Sequence, residues 1–197
     1  MARRKVRAAR ESFSLKDPKW AFFMLLWSFS ALAVAFSVLP LGRPIWPILA
    51  VLALAFFALE VKLQLGRFEL RLKALRNALR VGAVFLVLAV LAQLVGEWSG
   101  LWRTKGSYLP LGPLPAELAI AAFFGGAGWA LYLPRKRDVV FSAFDTALFA
   151  IFGTLGEWVL ALSGLLVYGA GWGYAQAFVG YVVVWAILHW MRYEFFA

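Results

Sequence analysis

The sequence contains no cysteine and only one histidine, His189, among its 197 residues. Without cysteine the chain has no disulfide, no thiolate nucleophile and no Cys-ligated zinc or iron–sulfur centre. One histidine cannot form a two-histidine metal site, and its position beside Trp190 in an apolar run favours a packed or interfacial side chain over a ligand. No phosphate-binding or dinucleotide fingerprint precedes a helix. We therefore expect no metal and no cofactor.

Charged residues are also scarce, at 15%, whereas hydrophobic residues make up 63% of the chain. Soluble domains are about one quarter charged and about half apolar. Several continuous apolar runs reach the ~20 residues that a membrane-spanning helix needs. They lack the alternation typical of membrane β-strands. The sequence therefore predicts an all-α polytopic membrane protein in which residues 1–197 form a single integral membrane domain.

The apolar runs and the prolines between them predict about six spans, at residues 20–39, 47–62, 81–97, 115–133, 139–168 and 174–191. The fifth run is too long for a simple span, so we expect it to tilt, to break near Ser163 and Gly164, or to continue into a structured loop. The small residues Gly125-Gly126-Ala127-Gly128 lie inside an apolar run, where such residues let helices approach closely.

Two basic segments flank the early spans, at residues 1–19 and 63–80. In the second, leucine and phenylalanine recur at steps of three and four residues with the cations largely off that stripe. This pattern predicts a basic amphipathic helix in the membrane interface or, alternatively, a cytoplasmic extension of the second spanning helix.

Positive charge is distributed very unevenly over the proposed topology. Of the 20 Lys and Arg residues, 17 fall on one side, and only Arg43, Arg103 and Lys105 fall on the other. The positive-inside rule therefore predicts a cell-membrane protein with both termini in the cytoplasm. The net charge of +10 then indicates contact with anionic lipid at the cytoplasmic face. Nucleic acid is not expected as a partner, because no stacking aromatic residues are interleaved with the basic runs.

A short string, Gly-Glu-Trp, occurs at residues 96–98 and again at 156–158. Tyr108 and Tyr168 each follow the glutamate of their copy by the same spacing. The match predicts two duplicated hairpins, at 81–134 and 139–192, with an ionisable group in each. Such groups are costly in a membrane and are often functional. Interfacial topology markers or chance matches are the alternative interpretations.

Carboxylates are the remaining candidates for chemistry, and they fall within or at the ends of the spans: Glu60, Glu97, Glu117, Asp145 and Glu157. A carboxyl group in apolar surroundings can retain a proton, and gathered carboxyls do so more readily. Glu97, Glu117 and Glu157 fall on one side of the topology and are therefore candidate proton donors, with Glu97 the first choice. Structural pairing with Arg103, Lys105 or aromatic donors is the alternative.

The residues around Glu97 also resemble a known pattern, E-x-x-G…T-G…Y…L-G-P. The matching residues are Glu97, Gly100, Thr104, Gly106, Tyr108, Leu111, Gly112 and Pro113. This pattern is similar to that of integral-membrane carotenoid-biosynthesis proteins, which include carotenoid hydratases and lycopene cyclase domains. Pro115-Ala116-Glu117 is similar to the start of the cyclases' P-x-E-E motif, with Leu118 in place of the second glutamate. The resemblance covers about residues 81–191.

The resemblance implies a long isoprenoid polyene as substrate and a carboxylic acid that protonates a carbon–carbon double bond, followed by hydration or cyclisation. Leu118 departs from the cyclase motif and argues against cyclisation in particular. Aromatic side chains could stabilise the resulting cation. The candidate substrate-binding residues are Trp98, Tyr108, Trp129, Trp158 and Tyr168. Aromatic belts at the membrane interface are the alternative explanation for them.

A second class of function remains open, namely a non-enzymatic membrane subunit. The six spans, the small size and the Ala31-x-x-x-Ala35 spacing are similar to small-molecule-binding transporter components. An accessory subunit of a larger membrane complex is the other form of this alternative. Homo- and hetero-oligomers are both compatible with the sequence.

Overall fold

The computed structural model describes residues 42–67, 72–134 and 137–196. The predicted first span and the basic segment at residues 1–19 lie outside the described residues. Five helices are described: α1 (Ile45–Arg67), α2 (Leu72–Trp98), α3 (Ala116–Tyr132), α4 (Val139–Leu162) and α5 (Tyr174–Phe195).

Four of the described helices, α1, α2, α4 and α5, are long and apolar enough to cross a bilayer, whereas α3 has only 17 residues. The prediction of a helical, membrane-embedded protein is confirmed on these grounds. The number of six spans stays a prediction, because the described residues supply four helices of membrane-spanning length.

Short strands, which hydropathy did not predict, connect the helices at one end of the bundle: β1 (Trp102–Thr104), β2 (Pro110–Leu111), β3 (Leu114–Pro115) and β4 (Leu166–Tyr168). β1 pairs antiparallel with β4 and places Trp102 opposite Tyr168. β2 pairs antiparallel with β3 in a tight hairpin. Backbone N–H and C=O groups beyond the end of a helix need hydrogen-bond partners outside it, and the pairing of these strands supplies them. The all-α description therefore needs this small β cap added to it.

Two helix boundaries bear on the predictions from the sequence. Helix α4 ends at Leu162, with Ser163 as its C-cap and Gly164 at φ +70°, and β4 follows. The expected break near Ser163 and Gly164 is thereby confirmed. Helix α2 begins at Leu72, so residues 72–80 of the predicted interfacial segment are the first turns of a long, continuous helix. Residues 72–80 therefore form a helical extension of a span, as the alternative interpretation predicted. They extend the third predicted span, however, and not the second.

The helices pack in two groups that are joined by two hydrophobic clusters. Helices α1 and α2 both pack on α3, and α4 packs on α5. The close approach of α2 to α3 depends on glycine, since a Cβ at Gly82 would lie 2.4 Å from the Phe123 carbonyl oxygen and one at Gly126 would lie 2.5 Å from the Phe85 ring. The predicted role of the small residues at 125–128 is confirmed by Gly126.

The chain order gives the bundle two distinct ends. The end with the β cap, called here the cap end, carries the start of α1, the ends of α2 and α4 and the starts of α3 and α5. The opposite end, called the basic end, carries most of the cations with described side chains, which include Arg76, Arg80, Arg137 and Arg192. The two predicted hairpins correspond to α2–α3 and α4–α5. β1 and β4 do not occupy equivalent positions in the repeat, and the duplication stays a prediction.

Candidate functional site

The α4–α5 interface presents two matching faces with residues one helical turn apart. On α4 the residues are Phe141, Asp145, Phe149, Gly153 and Glu157, and on α5 they are Tyr181, Trp185, His189 and Tyr193. Residues four apart lie on the same face of a helix. We call these two faces together the α4–α5 seam.

At the cap end of the seam, two tyrosine hydroxyls converge on Glu157. Tyr168 donates to Oε2 at 2.6 Å and Tyr181 donates to Oε1 at 3.0 Å. Tyr168 comes from β4, so the β cap positions one donor and α5 positions the other. The structure therefore brings together two residues that the repeat singled out, Glu157 and Tyr168, and adds Tyr181, which sequence reasoning missed.

Gly153 makes the approach of Tyr181 possible. A Cβ at this position would lie 2.7 Å from atoms of the Tyr181 ring, which is closer than carbon atoms pack. Only glycine lets α4 accept the aromatic ring one turn before Glu157. The local sequence thus explains why the phenol reaches the carboxylate.

The middle of the seam is aromatic. Phe149 stacks on Trp185 with ring centroids 4.7 Å apart, and Phe85 of α2 meets Trp185 edge-on at 5.3 Å. Trp185 also lies 6.5 Å from the Tyr181 ring. These rings separate the two ends of the seam with mostly apolar surface.

At the basic end of the seam, Asp145 accepts two hydrogen bonds on one oxygen. Trp129 Nε1 donates to Oδ2 at 2.9 Å, and His189 Nε2 lies 2.8 Å from the same oxygen. In the tautomer that carries its proton on Nε2, His189 donates to this oxygen. Asp145 is 1% exposed and His189 is 3% exposed. The packed histidine of the sequence analysis is therefore half of a buried hydrogen-bonded pair with Asp145.

Sequence reasoning considered Asp145 and His189 separately and did not pair them, because 44 residues separate them. It named Trp129 as a candidate substrate-binding residue. The structure places Trp129 in the last turn of α3, where its Nε1 donates to Asp145 at the basic end. The four-residue aromatic spacing on α5 is the signal that could have indicated the seam.

Glu117, in the first turn of α3, is buried and fixed within the β cap. Ser107 Oγ donates to Oε2 at 2.7 Å and the Tyr108 backbone N–H donates to Oε1 at 2.9 Å. Ser107 Oγ also accepts from Leu109 N. These contacts join the loop to the N-terminus of α3, where a carboxylate is favourable. The arrangement is that of a structural carboxylate that holds the loop in place.

Glu97, the first choice from the sequence, is the least enclosed of the three candidate acids. Its side chain is 35% exposed and lies 3.6 Å from Arg103 Nε, on a side chain that is 65% exposed. It borders a shallow, polar cavity of about 330 Å³ that Arg43, Thr104 and Lys105 also line. Glu97 is therefore partly exposed beside a cation and a polar cavity, which is the opposite of a carboxyl group enclosed in apolar surroundings.

A second hydrogen-bond network holds the β cap on α2. Gln93 Nε2 donates to Thr104 Oγ1 at 3.1 Å, and Trp102 Nε1 donates to Gln93 Oε1 at 2.5 Å. Thr104 Oγ1 in turn donates to the Pro113 carbonyl at 3.3 Å. Thr104 and Pro113, two residues of the E-x-x-G…L-G-P pattern, thus have a structural role in the cap.

The candidate substrate-binding aromatics separate into different surroundings. Trp98 is 82% exposed, and Tyr108 is exposed with the Arg43 guanidinium 4.7 Å from its ring centroid. Trp158 packs against the hydrophobic cluster that contains Ile45, at the start of α1. Tyr168 is therefore the candidate aromatic that contacts a candidate acid directly through its side chain.

No family model, curated protein or solved structure matches this chain. Within residues 42–67, 72–134 and 137–196, no group of three acidic or histidine side chains is arranged to hold a metal ion.

Proposed function

We propose that the protein binds a membrane-dissolved isoprenoid-type molecule and protonates one of its double bonds, with Glu157 as the acid. The observation that carries this proposal is the convergence of the Tyr168 and Tyr181 hydroxyls on Glu157, at 2.6 and 3.0 Å. Hydration or cyclisation would follow protonation.

Protonation of an alkene needs a strong acid away from competing water. The carboxyl proton of Glu157 would bond to one alkene carbon through the π electron pair, which leaves a cation on the other carbon and a carboxylate on Glu157. Two hydroxyl donors stabilise that carboxylate, because hydrogen bonds to an ionised acceptor are stronger than those to a neutral one. Addition of water or ring closure then releases a proton, which returns to Glu157.

Aromatic rings near Glu157 supply surroundings in which a cation is tolerated. Tyr174 meets Tyr168 edge-on at 5.3 Å, and Trp185 lies beyond Tyr181. The π faces of such rings attract positive charge. Burial and the hydrogen bond to Glu157 raise the pKa of Tyr168, so this phenol remains a donor throughout the physiological range.

The substrate class rests on the resemblance of residues 97–117 to the carotenoid-biosynthesis pattern. Glu97 and Glu117 of that pattern remain candidates, but they rank after Glu157. Glu97 is open to water, and Glu117 is held by Ser107 and the Tyr108 backbone.

The test is expression of the full chain in polyene-producing cells, with product yield measured per mole of folded protein. Glu157→Gln keeps the shape of the side chain but removes the transferable proton, so we expect loss of the new product. Glu97→Gln is the matched control, since it makes the same change in the other Gly-Glu-Trp string, and it should retain the product.

Loss of product in Glu97→Gln with activity in Glu157→Gln would move the acid to Glu97. A wild-type chain that changes no polyene, and instead copurifies with other membrane subunits, would contradict the enzyme and favour the non-enzymatic alternative.

A further inference from the structure

A cleft of about 380 Å³ opens between α4 and α5 from the basic end towards the middle of the helices. Its walls include the apolar residues Ala143, Val182 and Ala186, and Arg137 lies among the lining residues just before α4. The remaining lining residues are Val139, Ser142, Thr146, Ala147, Phe178 and His189. The cleft thus combines an apolar trough with a polar, cationic end.

Two buried polar atoms in this lining have no hydrogen-bond partner among the residues that the structure describes, namely Ser142 Oγ and His189 Nδ1. Hydroxyls in membrane helices commonly donate to the carbonyl one turn earlier. Thr154 and Ser163 of the same helix region do so, each at 2.8 Å. Ser142 does not, so its hydroxyl is left without that internal bond. Burial of an unpaired polar group is costly, which calls for a partner from outside.

The chemistry of these atoms selects an anion. The Ser142 hydroxyl is a donor, and the Arg137 guanidinium supplies further donors together with a positive charge. Two donor groups, one of them cationic, at one end of the cleft match the oxygens of an anionic group.

We propose that this cleft binds one anionic phospholipid, with its phosphodiester at Ser142 and Arg137 and an acyl chain along Ala143 and Val182. This proposal is independent of the function proposed for Glu157.

Two further observations favour a phospholipid over other anions. Val139 and Val140, beside the polar end, are exposed apolar residues on a helix long enough to span a bilayer, so the cleft opens towards lipid. The basic end of the bundle is the end that an anionic leaflet attracts. A phosphodiester carries a single charge, which costs less to bury than the two charges of a phosphate monoester.

The test is a titration of the purified full chain in detergent, followed by native mass spectrometry, with phosphatidylglycerol and with phosphatidylcholine of identical acyl chains. The wild type should retain one phosphatidylglycerol with about tenfold preference over phosphatidylcholine, as two charge-assisted contacts predict. Ser142→Ala should weaken phosphatidylglycerol binding by about three- to tenfold. Its thermal stability should not fall, because the hydroxyl has no partner within the described residues.

Arg137→Gln should also weaken phosphatidylglycerol binding, whereas Arg103→Gln is the matched control, since it removes the same charge from the cap end. Equal affinity of the wild type for the two lipids, or unchanged phosphatidylglycerol binding in Ser142→Ala, would overturn the proposal. A separate titration with palmitic acid gives the last outcome. Binding of palmitic acid that is tighter than that of phosphatidylglycerol and depends on Ser142 would make the occupant a carboxylate and would also overturn it.

Discussion

The two ends of the α4–α5 seam hold carboxylates on the same face of one helix, about three turns apart, yet their surroundings differ. Glu157 is half-buried and accepts from two phenols, Tyr168 and Tyr181. Asp145 is almost fully buried and accepts from an indole and an imidazole, Trp129 and His189. The Glu157 end has neutral donors, and the Asp145 end has a donor that can carry charge.

This difference indicates different tasks for the two ends. A phenol pair stabilises a carboxylate without neutralising it, so Glu157 can alternate between acid and anion. The imidazole can neutralise Asp145 as part of an ion pair, and Trp129 joins the pair to α3, so the Asp145 end connects three helices. We therefore expect substitutions at the Asp145 end to affect stability more than those at the Glu157 end.

The largest effect is expected from His189→Ala. The substitution leaves Asp145 with only Trp129 as a donor, and an uncompensated buried charge of this kind costs about 3–5 kcal/mol. The free energy of unfolding can be measured by titration of the purified protein with SDS in mixed micelles. Tyr181→Phe, which removes one neutral donor from Glu157, is the comparison and should cost about 1 kcal/mol. Equal losses of unfolding free energy in the two variants would show that the two ends of the seam contribute equally to stability.

A smaller effect is expected from Gly153→Ala, which tests how the seam closes at the Glu157 end. The new methyl group would lie 2.7 Å from the Tyr181 ring, so the helices must separate or the ring must move. Overpacking of this kind costs about 1–3 kcal/mol. Gly156→Ala is the matched control on the same helix, because its Cβ would meet no described atom within 4 Å. The same SDS titration measures both, and equal stability of the two variants would contradict close packing at Gly153.

The sequence predicted most of the helical part of this fold and little of what connects it. Continuous apolar runs indicated α1, α2, α4 and α5, and the length of the fifth run indicated its break at Ser163 and Gly164. The pairing of β1 with β4 could not be predicted in this way, because it joins two three-residue segments that carry no periodic signal. It depends instead on how the helices bring Trp102 and Tyr168 together.

The candidate site, too, was predicted only in part from the sequence. The repeated spacing singled out Glu157 with Tyr168, because a local pattern encoded that pair. The pair of Asp145 and His189 depends on the packing of α4 against α5, so neither residue was informative alone. Glu97 matched Glu157 letter for letter, yet its surroundings differ because it is partly exposed and lies beside Arg103. Identity of a short string therefore did not predict identity of environment.

The smallest effect is expected from Arg103→Gln, which tests that last difference. The 3.6 Å pair between Glu97 and Arg103 is formed by side chains that are 35% and 65% exposed. Exposed pairs contribute about 0–1 kcal/mol, and salt screens them. The SDS titration should therefore show a loss below about 0.5 kcal/mol that disappears in high salt. A loss above about 2 kcal/mol that salt does not reduce would place Glu97 in dry surroundings. The two Gly-Glu-Trp glutamates would then be equivalent after all, and Glu97 would return as the first candidate for the acid.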